Sequence, residues 1–125
     1  MTVAVAYDYG LAVRVYGEAL TTGLQARGYP TLDNELLDSY GLEPDAKPAI
    51  YARLLQELPA GLSEWAVHPG LDSRELRAIE PGSPVRPVRP TDYAFFASSA
   101  ARAIIDAEGI IVLDYGALQE VWART

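Results

Sequence analysis

Short apolar runs alternate with stretches of helical periodicity along the chain, and this alternation constrains the fold more than any other feature. Strand-like runs occur at residues 11–16, 63–67 and 110–113; the first is bracketed by glycines and the last is continuously apolar. Between these runs, apolar residues recur at the spacing of an amphipathic helix. Because strands separated by helices are typical of parallel sheets with right-handed crossovers, the sequence predicts an α/β fold.

Capping residues, glycines and prolines set the boundaries of the predicted helices. Residues 2–7 fit either a strand or the end of a helix, and residues 31–33 fit a very short strand. The prolines of residues 81–90 predict an ordered, extended loop rather than a linker between domains. Helices are predicted at residues 18–27, 45–58, 73–79, 98–108 and 117–123.

The length of the chain limits the size of its sheet. The sequence predicts a single α/β domain over residues 1–125 with one core, because it has 125 residues and 50% of them are hydrophobic. A closed eight-stranded barrel takes about 250 residues. The predicted architecture is therefore a partial, half TIM-like barrel or a small open sheet flanked by helices. Either arrangement exposes sheet edges, and such edges favour pairing with another chain.

The composition excludes several classes of protein. With no cysteine and one histidine, the chain has neither disulfides nor thiolate sites, nor a histidine-rich zinc site within one chain. Its formal net charge of -7 argues against nucleic acid as a partner. No apolar run reaches the roughly 18 residues of a membrane helix, and no basic region precedes the first apolar stretch as in a signal peptide. We therefore expect a cytoplasmic protein with no membrane partner.

Lysine chemistry has one candidate, because Lys47 is the only lysine of the chain. Its place at the predicted start of a helix indicates an exposed side chain, so Schiff-base chemistry receives little support. Glycine-rich phosphate-binding motifs are also absent from the sequence.

The single histidine, His68, is the first candidate for proton transfer. It ends a short apolar run and is followed at once by Pro69 and Gly70. A parallel strand delivers a side chain in this way to the carboxyl end of its sheet, where α/β proteins keep their chemistry. Histidine is also the residue type whose ordinary pKa lies closest to neutrality. Two roles stay open: general acid or base catalysis, and a structural hydrogen bond that orients the loop.

Acidic side chains follow several of the predicted strands. Paired carboxylates at such places hold hard cations such as Mg²⁺, whereas single carboxylates cap the next helix or lie in solvent. The second reading is favoured for Asp72, which precedes the predicted cap Ser73, and both readings stay open for Asp114. The acids concerned are Asp8, Asp33, Asp72 and Asp114.

Arginines and aromatic residues offer two further arrangements. Arg86 and Arg89 lie in the proline-rich loop, where they would clamp a substrate carboxylate or, as we favour, pair with an acid to fix the loop. Trp65 would join three later aromatic residues in a platform for a sugar ring, but packing is favoured for Trp65, Phe95 and Phe96.

Four segments of the chain resemble the carboxyl half of YdjC/ChbG-type (ChbG/HpnK-like) carbohydrate deacetylases. The most specific is the strand that ends in His-Pro-Gly, within residues 58–70, and the others follow it in the same order as in the family. The entering stretch at residues 9–14 is also similar, so that the resemblance covers essentially the whole chain. The later segments are residues 89–96, 98–102 and 109–115.

This resemblance implies a barrel-like (β/α) fold and the removal of acetyl groups from N-acetylated sugars with a divalent metal, Mg²⁺ or Zn²⁺. In the family the metal ligands and the base come from an Asp-Asp motif and histidines of the amino half. Asp8 does not align with that motif, so the resemblance implies no metal ligand and no bound cofactor within this chain. His68 matches a histidine that would protonate the leaving amine or orient the substrate. Arg89 and Asp92 match a pair that holds the loop over the site, and Asp114 is a further positioning candidate.

Two functions follow as expectations. In the first, the chain is a hydrolase-like half that is inactive alone and acts on a small sugar when a separately encoded amino-terminal half supplies the metal. In the second, it is a non-catalytic module that binds a ligand or forms a homo-oligomer, with two copies pairing their sheet edges as a homodimer.

Overall fold

A computed structural model describes residues 2–12, 14–15, 17–79, 82 and 87–122. Within these ranges the fold is a mixture of helix and sheet in which helices predominate. None of the described helices combines the length and the apolar composition needed to cross a membrane. In chain order the elements are α1 (Thr2–Asp8), α2 (Glu18–Gln25), β1 (Leu37–Asp38), a 3-10 turn (Pro44–Ala46), α3 (Lys47–Gln56), β2 (Trp65–Ala66), α4 (Arg74–Ile79), α5 (Val88–Phe96), α6 (Ser99–Ala107) and α7 (Tyr115–Trp122).

The chain divides into two compact units. The first comprises the described residues of Met1–Glu35, Gly61–Ser63 and Val112–Thr125, and the second those of Leu36–Ala60 and Glu64–Ile111. The expectation of a single domain over residues 1–125 stays a prediction.

The second unit contains a parallel pair of short strands. Leu37 of β1 pairs with Trp65 of β2, and Asp38 pairs with Ala66. The connection between them runs through α3, so the three elements form a β–α–β unit. This pairing confirms the predicted mixture of helices with parallel strands. The finer prediction of a partial barrel stays a prediction.

Two of the predicted strands are wrong in the part of the chain that is described. Residues 110–113 form no strand, and the side chains of Ile111, Val112 and Leu113 are 81%, 68% and 51% exposed. Residues 31–33 are likewise not a strand. A strand needs a neighbour to complete its hydrogen bonds, and apolar composition alone does not supply one.

The amino-terminal part of the chain also differs from expectation. Residues 2–7, which fit either element, belong to the helix α1. The described residues of the predicted strand 11–16, namely 11, 12, 14 and 15, are not in strand conformation, and residues 13 and 16 lie outside the described residues. The observed strand β1 was not predicted, because two residues carry no alternating pattern.

The predicted helices agree better with the structure. Helices α2, α3, α4, α6 and α7 lie within or overlap the predicted ranges. Ser98 caps α6 by accepting a hydrogen bond from the N–H of Ala101 at 3.1 Å. Ser73 likewise accepts a hydrogen bond from the N–H of Leu76 at 3.2 Å. Both serines therefore carry cap hydrogen bonds, as predicted. The cap predicted at Asp45 for α3 is wrong, because Asp45 lies in the 3-10 turn and the N-cap residue of α3 is Ala46, which makes no side-chain cap hydrogen bond.

Helix α5 corrects the interpretation of the proline-rich segment. It begins at Val88, inside the stretch 81–90 that was predicted to be extended. Pro90 lies in the first turn, where the N–H groups have no partner within the helix, so the proline costs no hydrogen bond there. Residues 81 and 83–86, which include the candidate Arg86, lie outside the described residues.

An aromatic core holds α3, α5 and α6 together in the second unit. Its buried members are Tyr51, Leu55, Phe95 and Ala101. The Tyr51 ring meets the ring of Phe95 edge-on at a centroid distance of 5.2 Å and that of Trp65 at 4.9 Å. The packing role favoured for these aromatic residues is therefore confirmed.

The first unit has a smaller core. Its buried members are Val15 and Leu24, packed against Ala12 and Tyr29. The N–H of Ala12 donates to Oε1 of Gln119 at 2.6 Å, which ties the segment before α2 to α7.

Candidate functional site

The carboxyl ends of β1 and β2 bring Ser39 and His68 together. Ser39 follows β1 directly, and His68 comes two residues after the end of β2. The Oγ atom of Ser39 lies 3.0 Å from Nδ1 of His68. Ser39 is fully buried whereas His68 is half-buried, so the imidazole lies between the interior and the surface. The prediction that a strand delivers His68 to this edge is confirmed.

A tyrosine ring covers part of the imidazole. The ring centroids of Tyr40 and His68 are 3.9 Å apart, and the two planes are tilted by 42°. Among the described residues, Nδ1 is the imidazole nitrogen that takes part in a hydrogen bond. Nε2 is therefore the nitrogen that is left for proton exchange with a substrate.

A buried carboxylate anchors the histidine from the other side. Oδ2 of Asp92 accepts a hydrogen bond from the backbone N–H of His68 at 2.9 Å. Its Oδ1 accepts from Nζ of Lys47 at 2.8 Å and from the hydroxyl of Tyr51 at 2.7 Å. Lys47 and Tyr51 are four residues apart in α3, so both face Asp92 of α5. Two helices and the segment after β2 thus converge on one carboxylate.

The charges of this cluster are stabilised by one another. Burial alone would raise the pKa of Asp92, but hydrogen bonds from Lys47, Tyr51 and the N–H of His68 outweigh it and lower the pKa from its ordinary value of 3.8. Burial and the neighbouring carboxylate raise the pKa of the Tyr51 phenol above its ordinary value of 10.0. Asp92 is therefore ionised and Tyr51 is neutral at neutral pH.

The expectation of an exposed Lys47 is wrong. Its side chain is 0% exposed and forms a salt bridge with Asp92. The first turn of α3 faces α5, so the residue at the helix start points into the unit rather than into solvent. Lys47 is held by the carboxylate of Asp92, and an amine paired in this way is a poor nucleophile.

Arg89 bonds the turn from His68 to Gly70 through its backbone carbonyl group, whereas Asp92 bonds it through its side chain. The N–H of Gly70 donates to the carbonyl oxygen of Arg89 at 3.2 Å. A Cβ atom at Gly70 would lie 3.4 Å from Cβ of Arg89, which is ordinary van der Waals contact, so the two residues pack side by side. Arg89 and Asp92 thus both bond the turn from His68 to Gly70, while the salt bridge of Asp92 is made with Lys47.

The other predicted site residue, Asp114, belongs to the first unit. Its Oδ1 accepts a hydrogen bond from the N–H of Ala117 at 3.2 Å, which caps α7. Asp114 therefore caps α7, which is one of the two roles that the sequence left open for it.

The remaining acids have local partners or lie in helix. Asp72 is exposed and forms a salt bridge with Arg77 at 2.7 Å, which agrees with the favoured reading of a carboxylate that lies in solvent. Oδ2 of Asp33 accepts from the N–H of Leu62 at 2.6 Å. Asp8 is the last residue of α1.

The residues around His68 do not fit a metal ion. The oxygens of Asp92 accept from three donors, one of them an ammonium group that would repel a cation. More widely, the described ranges contain no group of three or more His, Asp or Glu side chains that could hold a metal.

Sequence reasoning missed Ser39 and Tyr40 as neighbours of His68, and Tyr51 as a donor to Asp92. Ser39 and Tyr40 follow a strand of two residues, which gives no periodic signal. The spacing of Lys47 and Tyr51 on one helix face was visible, but their acidic partner lies more than 40 residues further along the chain.

No protein-family model matches the chain, and no curated protein matches it.

Proposed function

We propose that the His68 site is the proton-transfer half of a carbohydrate deacetylase-like hydrolase that acts on an N-acetylated sugar. One observation carries the proposal: a half-buried imidazole lies at the carboxyl ends of two parallel strands, with Nδ1 next to a buried hydroxyl and its backbone N–H held by an ionised carboxylate. This is where β/α enzymes keep their catalytic groups. It also supports the proposal that the β–α–β unit is part of a partial barrel.

The chemistry of amide hydrolysis gives His68 a defined task. The reaction needs an activated water, a group that stabilises the oxyanion, and an acid that protonates the leaving amine. His68 supplies the last of these through Nε2. The resemblance assigns the divalent metal, Mg²⁺ or Zn²⁺, to a segment outside these residues, which would activate water when bound. Arg89 and Asp92 hold the turn that carries the imidazole, and Asp114 is retained as a candidate for positioning.

Acetate release from N,N′-diacetylchitobiose tests this proposal. The chain is assayed alone with Mg²⁺ or Zn²⁺, and then mixed with the amino-terminal half of a deacetylase of the family it resembles. We expect no release by the chain alone and release by the mixture. His68→Ala should abolish release, whereas Asp106→Asn on the exposed side of α6 should leave it unchanged.

Two results would count against the proposal. Turnover by the isolated chain that depends on His68 would show that half a site is active. If the mixture forms a stable complex but releases no acetate, the proposal that this chain takes part in deacetylation is wrong.

A second function is favoured by the exposed apolar run at residues 110–113. Ile111 and Val112 are 81% and 68% exposed, although their composition suits a buried strand. We propose as the alternative that this run pairs with a second copy, so that the chain acts as a non-catalytic homo-oligomer. Light scattering at micromolar concentration should then give the mass of a dimer, and Ile111→Lys should give that of a monomer. A monomeric mass for the unaltered chain would remove this alternative.

A further inference from the structure

Tyr40 is an exposed aromatic residue beside the imidazole of His68. Its side chain is 41% exposed, although its ring centroid lies only 3.9 Å from that of the imidazole. The ring therefore has surface that a ligand at this site would meet. Among the described residues, the other rings that make ring–ring contacts in the second unit belong to the core or pack against it: Tyr51, Trp65, Phe95 and Phe96.

The backbone around Tyr40 fixes the position of this ring. The N–H of Tyr40 donates to Oδ1 of Asp38 at 2.9 Å, a bond from a side chain to the backbone two residues on that stabilises the turn after β1. The N–H of the preceding Ser39 donates to the carbonyl oxygen of Ala66 in β2 at 3.2 Å. The pair of strands that delivers His68 thus also carries the Tyr40 ring, which lies next to the imidazole before a ligand binds.

The surface formed by the two rings suits a neutral sugar. Anions are disfavoured, because the acidic groups that bond this part of the chain are Asp38 and Asp92 and the formal net charge is -7. A pyranose has axial C–H bonds on its faces that pack against an aromatic ring, and polar substituents at its rim. The two ring centroids are closer together than the span of a pyranose with its acetamido group, so one sugar residue can contact both rings.

We propose that Tyr40 is a substrate-positioning residue of the His68 site: its exposed ring packs against the C–H face of an N-acetylated pyranose and places the acetamido nitrogen next to Nε2 of His68. The choice of an N-acetylated sugar rests on the proposed function. The ring acts on the binding and orientation of the sugar and takes no part in proton transfer. Tyr40 thus has the role that the sequence suggested for Trp65, whose ring packs against the core instead.

NMR on protein with ¹³C-labelled histidine and tyrosine tests this contact without any reaction. The chain has one histidine and 8 tyrosines, and Tyr40→Phe identifies the signals of Tyr40. On addition of N,N′-diacetylchitobiose we expect the imidazole signals to shift, with a dissociation constant of about 1–10 mM. We also expect cross-peaks between the Tyr40 ring protons and the C–H protons of the sugar. If about 50 mM sugar gives no cross-peak to the Tyr40 ring, the inference is wrong.

Variants of two exposed tyrosines complete the test. Tyr40→Ala removes the ring, and we expect the dissociation constant to rise about 3- to 10-fold. Tyr40→Phe keeps the ring and should change it less than about twofold, because the hydroxyl has no hydrogen-bond partner among the described residues. Tyr9→Ala is the matched control and should leave the affinity unchanged, since Tyr9 is 75% exposed and lies in the first unit.

Near-ultraviolet circular dichroism shows whether the variants retain the aromatic packing. A folded Tyr40→Ala protein that binds the sugar as tightly as the unaltered chain would contradict the inference. If Tyr40→Ala does not fold, the cross-peaks of the unaltered chain decide.

Failure of this inference and failure of the proposed function give different results. Sugar contacts at Tyr40 without acetate release by the mixture described above would support the positioning role and contradict the reaction. If the mixture is active, Tyr40→Ala should raise KM about 3- to 10-fold with little change in kcat, because the ring packs on the sugar equally before and during the reaction. A fall in kcat at unchanged KM would show that Tyr40 acts on the imidazole rather than on the sugar, which would overturn the inference while the reaction stands.

Discussion

Lys47 and Asp92 lie wholly out of solvent, whereas the pairs Arg53–Glu57, Asp72–Arg77 and Arg102–Asp106 are exposed. Both members of the Arg102–Asp106 pair, for example, are more than half exposed, at 71% and 59%. Burial of two charges costs several kcal/mol per ion, and here that cost is offset by the salt bridge and by two further donors to Asp92. Removing one partner leaves an uncompensated charge, which is far less favourable than removing an exposed pair.

This asymmetry predicts the effect of Asp92→Asn. The substitution keeps the shape of the side chain but leaves the ammonium group of Lys47 buried without a counter-charge. We expect the free energy of unfolding to fall by about 3–5 kcal/mol, as measured by urea denaturation at pH 7. The same substitution at the exposed Asp106 should change it by about 0.5 kcal/mol or less. Equal effects at the two positions would contradict the role given to the buried pair.

Stability should also depend on acid pH through Asp92. The pKa of this group is lower in the folded chain than its ordinary value of 3.8, so the folded state binds the proton less tightly than the unfolded state does. Its contribution to stability is fully present above about 3.8 and is lost as pH falls through the folded pKa. The difference in unfolding free energy between the unaltered chain and Asp92→Asn should therefore shrink below about pH 4. A constant difference between pH 7 and pH 2 would contradict this.

Among the site residues, those with a local signal were predictable from sequence. His68 was placed correctly because an apolar run followed by Pro69 and Gly70 is a local pattern. Lys47 was misjudged because its exposure is decided by a carboxylate on another helix. No pattern within a short window contains that information.

The same contrast holds for whole elements. Helices complete their hydrogen bonds within a few residues, so periodicity and the caps at Ser73 and Ser98 were sufficient to predict most of them. Strands need a distant neighbour. Residues 110–113 have a strand-like composition, but they have no pairing among the described residues, whereas the unpredicted β1 is a strand because β2 lies beside it.

The cap of α6 provides a test at this scale. Ser98 accepts from the N–H of Ala101 and also donates to the carbonyl oxygen of Phe95 at 2.6 Å, so one hydroxyl joins the end of α5 to the start of α6. Ser98→Ala should lower the free energy of unfolding by about 1 kcal/mol. Ser99→Ala, at the next and exposed position, should change it by less than about 0.5 kcal/mol. Thermal or urea denaturation followed by circular dichroism distinguishes the two.

At the scale of the molecule, each of the two units has its own core. In the second unit four buried residues, two of them aromatic, join three helices, and the buried ion pair lies beside them. In the first unit the core cluster has two buried aliphatic residues. The length of the chain predicted one core. Helical periodicity shows which face of a helix is buried, but it does not show which helices pack against one another.

Hydrogen exchange should reflect this difference in core size. Regions with few buried apolar contacts open more readily than regions that are well packed. We expect amide protons of α3, α5 and α6 to exchange more slowly than those of α1, α2 and α7, as measured by NMR or mass spectrometry. Uniform protection of both groups of helices would show that the units open together.

Because Lys47 is buried, its chemical reactivity indicates how often the second unit opens. Lys47 is the one lysine of the sequence, and its side chain is 0% exposed. A reagent that acylates amines can reach it only when α3 and α5 separate and the ammonium group leaves Asp92 and loses its proton. The rate of modification at this position therefore measures how often the second unit opens locally.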